Sequence, residues 1–166
     1  MSQGYFHKLR VGVVVFHQDH LLLLRQNNLD FWVLPGGTVE GHESLAEAAE
    51  REMLEETALA VSIRRLLWVS DFIPAKAPST GHVVDVVFWG SITGGTLSTV
   101  LTENINEMRW VSKADLSETV TNSVTLQPRK IEALILTHWE SLSDISANAG
   151  LREHPVNGDP YLGLIR

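Results

Sequence analysis

The sequence G-G-T-V-E-G-H-E-S-L-A-E-A-A-E-R-E-M-L-E-E-T-A-L, at residues 36–59, carries the strongest pattern in the chain. Ser44 and Glu47 have the spacing of a capping box, which predicts a helix beginning at Leu45. Most of the following positions are Ala, Leu, Glu, Met or Arg, which favour helices. Because no Gly or Pro interrupts the sequence up to Leu59, we expect the helix to continue almost to that residue.

One face of the predicted helix changes character along its length. At about 100° per residue, it begins with small apolar residues and continues with three carboxylates: Leu45, Ala48 and Ala49, then Glu52, Glu55 and Glu56. Clustered carboxylates repel one another, and a hard divalent cation such as Mg²⁺ or Mn²⁺ would relieve that repulsion. A solvated acidic face is the ordinary alternative. The apolar start of this face, the lack of Lys partners and the preceding glycines favour the metal site.

The same stretch resembles the Nudix box. That pattern is Gly, five residues, Glu, seven residues, Arg-Glu, an aliphatic residue, any residue, Glu-Glu, any residue, Gly and an aliphatic residue. The matching positions are Gly37, Glu43, Arg51, Glu52, Met53, Glu55, Glu56 and Leu59. The single departure is Ala58, where the family usually has a Gly that ends the helix in a left-handed conformation. An alanine there costs on the order of 1 kcal/mol or forces a slightly different exit from the helix, and either outcome affects stability rather than chemistry.

The resemblance assigns roles within the box. The metal ligands that it implies are Glu52, Glu55, Glu56 and the carbonyl of Gly37. Gly36 lets the backbone approach a ligand closely. Arg51 is implied to pair with Glu43 and to hold the loop against the helix, whereas outside the motif such a pair would be of little value.

The general base has several candidates. Glu52 or Glu55 can serve from the helix itself. Some family members use a glutamate from a distant loop, for which Glu103 is the candidate here and Glu107 the second choice. An ordinary surface glutamate is an equal alternative for either of these two.

The rest of the chain predicts an α/β protein. Strands are expected at residues 9–17, 21–25, 31–34, 61–72, 82–93 and 105–111, a helical turn at 112–116 and a second long helix at 127–142. The pattern predicts a mixed sheet between helices, and the resemblance implies a Nudix-type α/β/α sandwich with a mixed β-sheet. Without a repeat or linker, we expect one domain over residues 1–166, with an irregular tail at 146–166.

Composition narrows the function. The chain has 44% apolar residues, a formal charge of −7 and no cysteine. The negative charge and the lack of a Lys/Arg cluster argue against nucleic-acid binding. The lack of cysteine argues against a Nudix-related isoprenoid diphosphate isomerase, whose chemistry uses that residue. No signal peptide or membrane-length apolar run is seen, so we expect a soluble cytoplasmic protein that does not bind membranes.

The resemblance implies a magnesium-dependent hydrolase whose partner is a small-molecule nucleotide, a nucleoside diphosphate linked to another group. Pro74 lies where the ADP-ribose pyrophosphatase group has a proline, which favours ADP-ribose or a nucleoside diphosphate sugar over nucleoside triphosphates. A non-catalytic nucleotide-binding module is the alternative from another class, although such modules often lose box glutamates. Many Nudix enzymes are dimers, so the resemblance also allows a homodimer.

Four residues outside the box are candidates for the substrate site. Arg25, at the end of a predicted strand, has donors suited to a phosphate, but a solvated strand end is nearly as good an interpretation. Phe31 or Trp32 can stack on a base, although aromatic residues beside a buried sheet more often belong to the core. Asp85 alternates with apolar neighbours and is a candidate for facing the cleft.

Overall fold

The computed structural model describes residues 6–27, 30–73, 81–97, 104–117 and 124–147 of the chain. In chain order the elements are β1 (Phe6–Val14), β2 (Phe16–His17), β3 (His20–Gln26), α1 (Leu45–Thr57), β4 (Leu59–Phe72), β5 (Gly81–Gly95), β6 (Ile105–Val111), α2 (Lys113–Ser117), α3 (Arg129–Thr137) and α4 (Trp139–Ala147). Within these ranges, no helix combines the length and the apolarity that a membrane span requires.

The strands form two three-stranded sheets. The first has the order β1-β5-β4, with β1 parallel to β5 and β4 antiparallel to β5. The predicted mixed sheet is therefore confirmed. The second sheet has the order β2-β3-β6 and is antiparallel. Along the β4–β5 pair the register shifts three times, so β4 is an irregular edge strand.

Helices cover both faces of the mixed sheet, as the predicted α/β/α sandwich requires. On one face, α1 buries Ala48, Ala49 and Met53 against valines of β1 and β5. On the other face, α3 and α4 pack in a second cluster with two tryptophans of the sheet; the members used below are Trp68, Trp89, Ile131, Ile135 and Trp139. Burying these apolar side chains supplies the main driving force for folding.

Residues 32–39 connect the two sheets. Leu24 of β3 and Val33 exchange backbone hydrogen bonds of 2.9 and 2.8 Å. Further along, the amide of Val11 in β1 donates to the carbonyl of Gly37 at 2.9 Å. The glycine loop is therefore held against the free edge of β1.

Three predicted elements were wrong in extent. The expected strand at residues 9–17 is two strands in different sheets, β1 (Phe6–Val14) and β2 (Phe16–His17). The expected strand at residues 31–34 consists of two isolated bridges, at Trp32 and Val33. The expected helix at residues 127–142 is two helices, because His138 leaves the helical conformation at φ −106° and ψ 15°. Tertiary contacts accompany this break: buried Trp139 packs edge-on against Phe16, and its indole N–H donates to Asp19 at 2.9 Å. α4 also enters the predicted tail, whose residues 148–166 lie outside the described ranges.

The ends of α1 follow the sequence prediction. The Ser44 hydroxyl accepts from the Glu47 amide, and the Glu47 carboxylate accepts from the Ser44 amide, so the capping box is present. At the other end, Ala58 is left-handed, with φ 59° and ψ 17°, and its amide donates to the Leu54 carbonyl at 3.0 Å. Alanine therefore occupies the conformation in which the box pattern has glycine.

Replacing Ala58 with glycine should stabilise the fold. Removing the Cβ relieves the left-handed strain, so we expect the free energy of unfolding to rise by about 1 kcal/mol. Urea denaturation measures this change. Ala60→Gly is the matched control because Ala60 lies in β4, where glycine should lower stability. A lower free energy of unfolding in Ala58→Gly than in the wild type would contradict the interpretation that the backbone is strained at Ala58.

Candidate active site

The carboxylates of α1 reach the glycine loop. The amide of Gly36 donates to the Glu56 carboxylate at 2.8 Å. A Cβ built on Gly37 would lie 2.3 Å from a carboxylate oxygen of Glu52, so that side chain rests directly against the glycine. A Cβ on Gly36 would instead lie 2.1 Å from the backbone oxygen of Val11. Backbone atoms therefore exclude a side chain at Gly36, whereas at Gly37 a side chain would only displace the carboxylate of Glu52.

Arg51 holds the loop and the helix together. Its Nε and Nη2 donate to the two oxygens of Glu43 at 2.9 and 2.7 Å, and Nη2 also donates to the carbonyl of Thr38 at 3.2 Å. The predicted pair of Arg51 with Glu43 is thus present in bidentate form. Hydrogen bonds from Arg51, and then from the backbone amide of Glu40, lower the pKa of Glu43 to about 2.

The remaining nitrogen of Arg51 faces two of the predicted metal ligands. Nη1 lies 3.0 Å from Glu52 Oε1 and 3.3 Å from Glu55 Oε2. Within the described residues, no three acidic, histidine or cysteine side chains are arranged to hold a metal ion as they stand. Glu52 and Glu56 both contact the glycine loop, whereas the Glu55 side chain is 61% exposed and accepts from Arg51 Nη1. Binding a cation by all three therefore requires side-chain rotation.

Glu56 is the most perturbed of these carboxyl groups. Burial raises its pKa to about 7; the Gly36 hydrogen bond opposes the shift, Glu52 adds to it, and Arg10 also opposes it. A cation beside this group would favour its ionised form. The Gly37 carbonyl has a second lone pair beyond its bond to Val11. Carboxylate and carbonyl oxygens are hard ligands of the type that Mg²⁺ and Mn²⁺ prefer.

The structure gives other partners to the substrate candidates near β3. Arg25 pairs with Glu107 of β6 at 2.6 Å, and its Cζ lies 5.7 Å from the centre of the Trp32 ring. Trp32 is only 7% exposed and belongs to the core, which favours the packing interpretation. Phe31 is half-buried. Glu103, like Pro74, lies outside the described residues.

A small cleft beside the glycine loop contains residues that the sequence analysis did not select. It lies between β1, β5 and the start of α3, with a volume of about 40 Å³. Its polar lining residues are Arg10, Asp85 and Gln127, of which only Asp85 was a candidate. The sequence did contain a signal for Arg10, which is the one charged residue in the nearly all-apolar strand predicted at residues 9–17. A charge in such a strand needs a partner, so Arg10 could have been selected.

Comparison with known proteins identifies the family. The profile of the NUDIX domain family matches residues 6–135, so the chain belongs to that family. It is 35% identical over 104 residues to a Bacillus subtilis (strain 168) protein provisionally named an 8-oxo-dGTP diphosphatase, covering 63% of this chain and 65% of that one. It is 36% identical over 97 residues to an ADP-ribose pyrophosphatase of Methanocaldococcus jannaschii, covering 56% of each. The chain spans less than two thirds of these curated relatives.

Solved structures agree with the fold. An ADP-ribose pyrophosphatase from Streptococcus suis 89-1591 superposes with a TM-score of 0.61 at 24% identity, covering 89% of this chain and 94% of that one. A NUDIX hydrolase from Nitrosomonas europaea gives a TM-score of 0.61 at 20% identity, covering 94% and 98%. These superpositions confirm the expected Nudix architecture. Because the sequence identities are below 25%, they show the fold and do not assign an activity.

Replacing each of three glycines with alanine should distinguish effects on folding stability from effects on metal binding at the carboxylate site. Gly36→Ala meets backbone at a positive φ of 143°, so we expect a large loss of thermal stability. Gly37→Ala meets the mobile end of Glu52, so stability should change little while Mn²⁺ affinity falls about tenfold or more. Thermal unfolding and calorimetric Mn²⁺ titration measure the two effects.

Gly41→Ala is the control for this series, since a Cβ there meets no atom within 4 Å. It should leave both stability and Mn²⁺ affinity unchanged. Unaltered Mn²⁺ binding in a folded Gly37→Ala variant would remove Glu52 from the ligand set.

Proposed function

We propose that this chain is a pyrophosphohydrolase that uses Mg²⁺, or Mn²⁺, to cleave the diphosphate of a nucleoside diphosphate linked to another group. One observation carries the proposal: Glu52 and Glu56 rest against Gly37 and Gly36 in a chain that keeps the whole acidic part of the box. Two half-buried carboxylates placed this close are costly to ionise together unless a cation or a proton neutralises them.

The residues have distinct roles in this proposal. Glu52, Glu55, Glu56 and the Gly37 carbonyl hold the divalent cation, which when bound neutralises the diphosphate and lowers the pKa of water. Arg51 positions these ligands through its bonds to Glu43 and to the Thr38 carbonyl. Glu52 or Glu55 takes the proton from the attacking water, and Glu103 remains the candidate from outside the box.

The choice of substrate divides into two groups. ADP-ribose and nucleoside diphosphate sugars form the first group, which Pro74 and the name of the Methanocaldococcus jannaschii relative support. Nucleoside triphosphates form the second group, which the name of the Bacillus subtilis relative supports. Incubation with ADP-ribose or 8-oxo-dGTP and Mg²⁺, followed by chromatography of the nucleotide products, separates the two groups.

A nucleotide-binding module without catalysis is the second candidate function. The intact glutamates Glu52, Glu55 and Glu56 argue against it, since a module that only binds has no need of all three. If no compound of either substrate group is cleaved in Mg²⁺ or Mn²⁺, while nucleotides still bind, the module becomes the better interpretation.

Glu56→Gln should lower turnover by several orders of magnitude while the fold survives. Glutamine keeps an oxygen that can accept from Gly36, but it removes the charge that holds the cation. Steady-state kinetics under saturating Mg²⁺ measure the loss. Glu50→Gln is the matched control, because Glu50 lies on the same helix and accepts from the amide of Ile63 at 3.0 Å. Near wild-type turnover in Glu56→Gln would remove this residue from the metal site.

A further inference from the structure

Three polar side chains form a row across one end of the mixed sheet. His7 of β1 is opposite His82 of β5, and the His82 ring in turn contacts Asp71 of β4. We propose that the two histidines bind one borderline divalent metal ion, such as Zn²⁺, Ni²⁺ or Cu²⁺, and that Asp71 orients the His82 ring for it. This site uses none of the residues of the box, and the inference does not depend on the proposed function.

The spacing of the two imidazole rings suits a shared ion. His7 and His82 are direct partners in the β1–β5 pair, and their ring centres lie 6.0 Å apart with the planes tilted by 49°. Two imidazoles that share one ion through bonds of about 2.0–2.1 Å have ring centres roughly 5 Å apart. A side-chain rotation that moves one ring by about 1 Å therefore completes the site. The His7 side chain is exposed and has room for that rotation.

Asp71 determines which nitrogen of His82 faces the metal. The distance from Asp71 Oδ2 to His82 Nε2 is 2.7 Å. A carboxylate can only accept, so in the neutral ring this contact assigns the proton to Nε2 and leaves the lone pair on Nδ1. Histidines that bind metals commonly donate their other N–H to a carboxylate, which fixes the ring and makes the ligating nitrogen more basic. His82 therefore already has the supporting contact of a metal ligand.

The donor atoms decide the kind of metal. Imidazole nitrogens suit Zn²⁺, Ni²⁺ and Cu²⁺, whereas the oxygen ligands of the box suit Mg²⁺ and Mn²⁺. Among the residues that the structure describes, no group of three side chains is arranged to enclose an ion, so water completes the coordination at the two histidines. At such an open site Cu²⁺ should bind more tightly than Ni²⁺ or Zn²⁺.

An ion at this place would join the three strands of the mixed sheet. It links β1 to β5 through the two rings, and the contact of His82 with Asp71 extends the link to β4. The two histidines come together only when β1 and β5 pair, so the ion binds the folded chain in preference to the unfolded one. Binding of this kind raises stability as the metal concentration increases.

Titration with Cu²⁺ and Ni²⁺ tests the inference, in saturating Mg²⁺ so that the box is occupied. At a free Ni²⁺ concentration of about ten times Kd, we expect Tm to rise by about 3 °C or more. Electron spin echo modulation of Cu²⁺ bound at one equivalent should show two imidazoles in the wild type and one in His7→Gln. Calorimetry should give a Kd for Ni²⁺ that is about tenfold or more higher in His7→Gln.

Two further variants separate the roles. His20→Gln is the matched control, because His20 lies in β3 of the other sheet, where its Nδ1 contacts the Gln18 carbonyl. It should change neither the Kd nor the Cu²⁺ signal. Asp71→Asn should raise the Kd about tenfold while both imidazoles stay bound, because Asp71 orients a ligand and is not one itself. A single imidazole on Cu²⁺ in the wild type, or equal Ni²⁺ affinity in the wild type and a folded His7→Gln variant, would overturn the proposal.

Discussion

The backbone pairing of the glycine loop with β1 is the constraint on which the rest of the site depends. The amides of Val11 and Val13 donate to the carbonyls of Gly37 and Pro35, both at 2.9 Å. These bonds place the loop on the edge of the mixed sheet, and the bridge from Val33 to Leu24 fixes its other end to the second sheet. Because both ends are held, the loop presents its amide and carbonyl groups to α1 in one orientation.

The helix completes this arrangement through side chains. Arg51 joins Glu43 and Thr38 of the loop to Glu52 and Glu55 of the helix, so one guanidinium spans the whole box. The half-buried carboxylate of Glu56 accepts directly from the Gly36 amide. Loop and helix are thus one unit, in which the acidic groups are drawn together by a cation from the chain itself before any metal binds. This explains how a cluster of like charges is tolerated in the folded protein.

Local features were predictable from the sequence, and features that depend on distant contacts were not. The capping box at Ser44 follows from spacing within one short stretch, and the Arg51–Glu43 pair follows from the resemblance of that stretch to the Nudix box. The break at His138 does not, because it accompanies the packing of Trp139 against Phe16 from the other end of the chain. The pairing of Arg25 with Glu107 and the approach of Arg10 to Asp85 depend on strand order, which periodicity does not contain.

The irregular edge of the mixed sheet bears on how the protein behaves at high concentration. β4 has 14 residues, and a regular edge of that length would offer a template to which a strand of a second molecule could add. The three breaks in its register twist the strand and interrupt the even row of outward amides and carbonyls. Growth into ordered aggregates from this side is thereby discouraged by backbone geometry, and the charged side chains of Arg64, Arg65 and Asp71 in the same strand add to the effect.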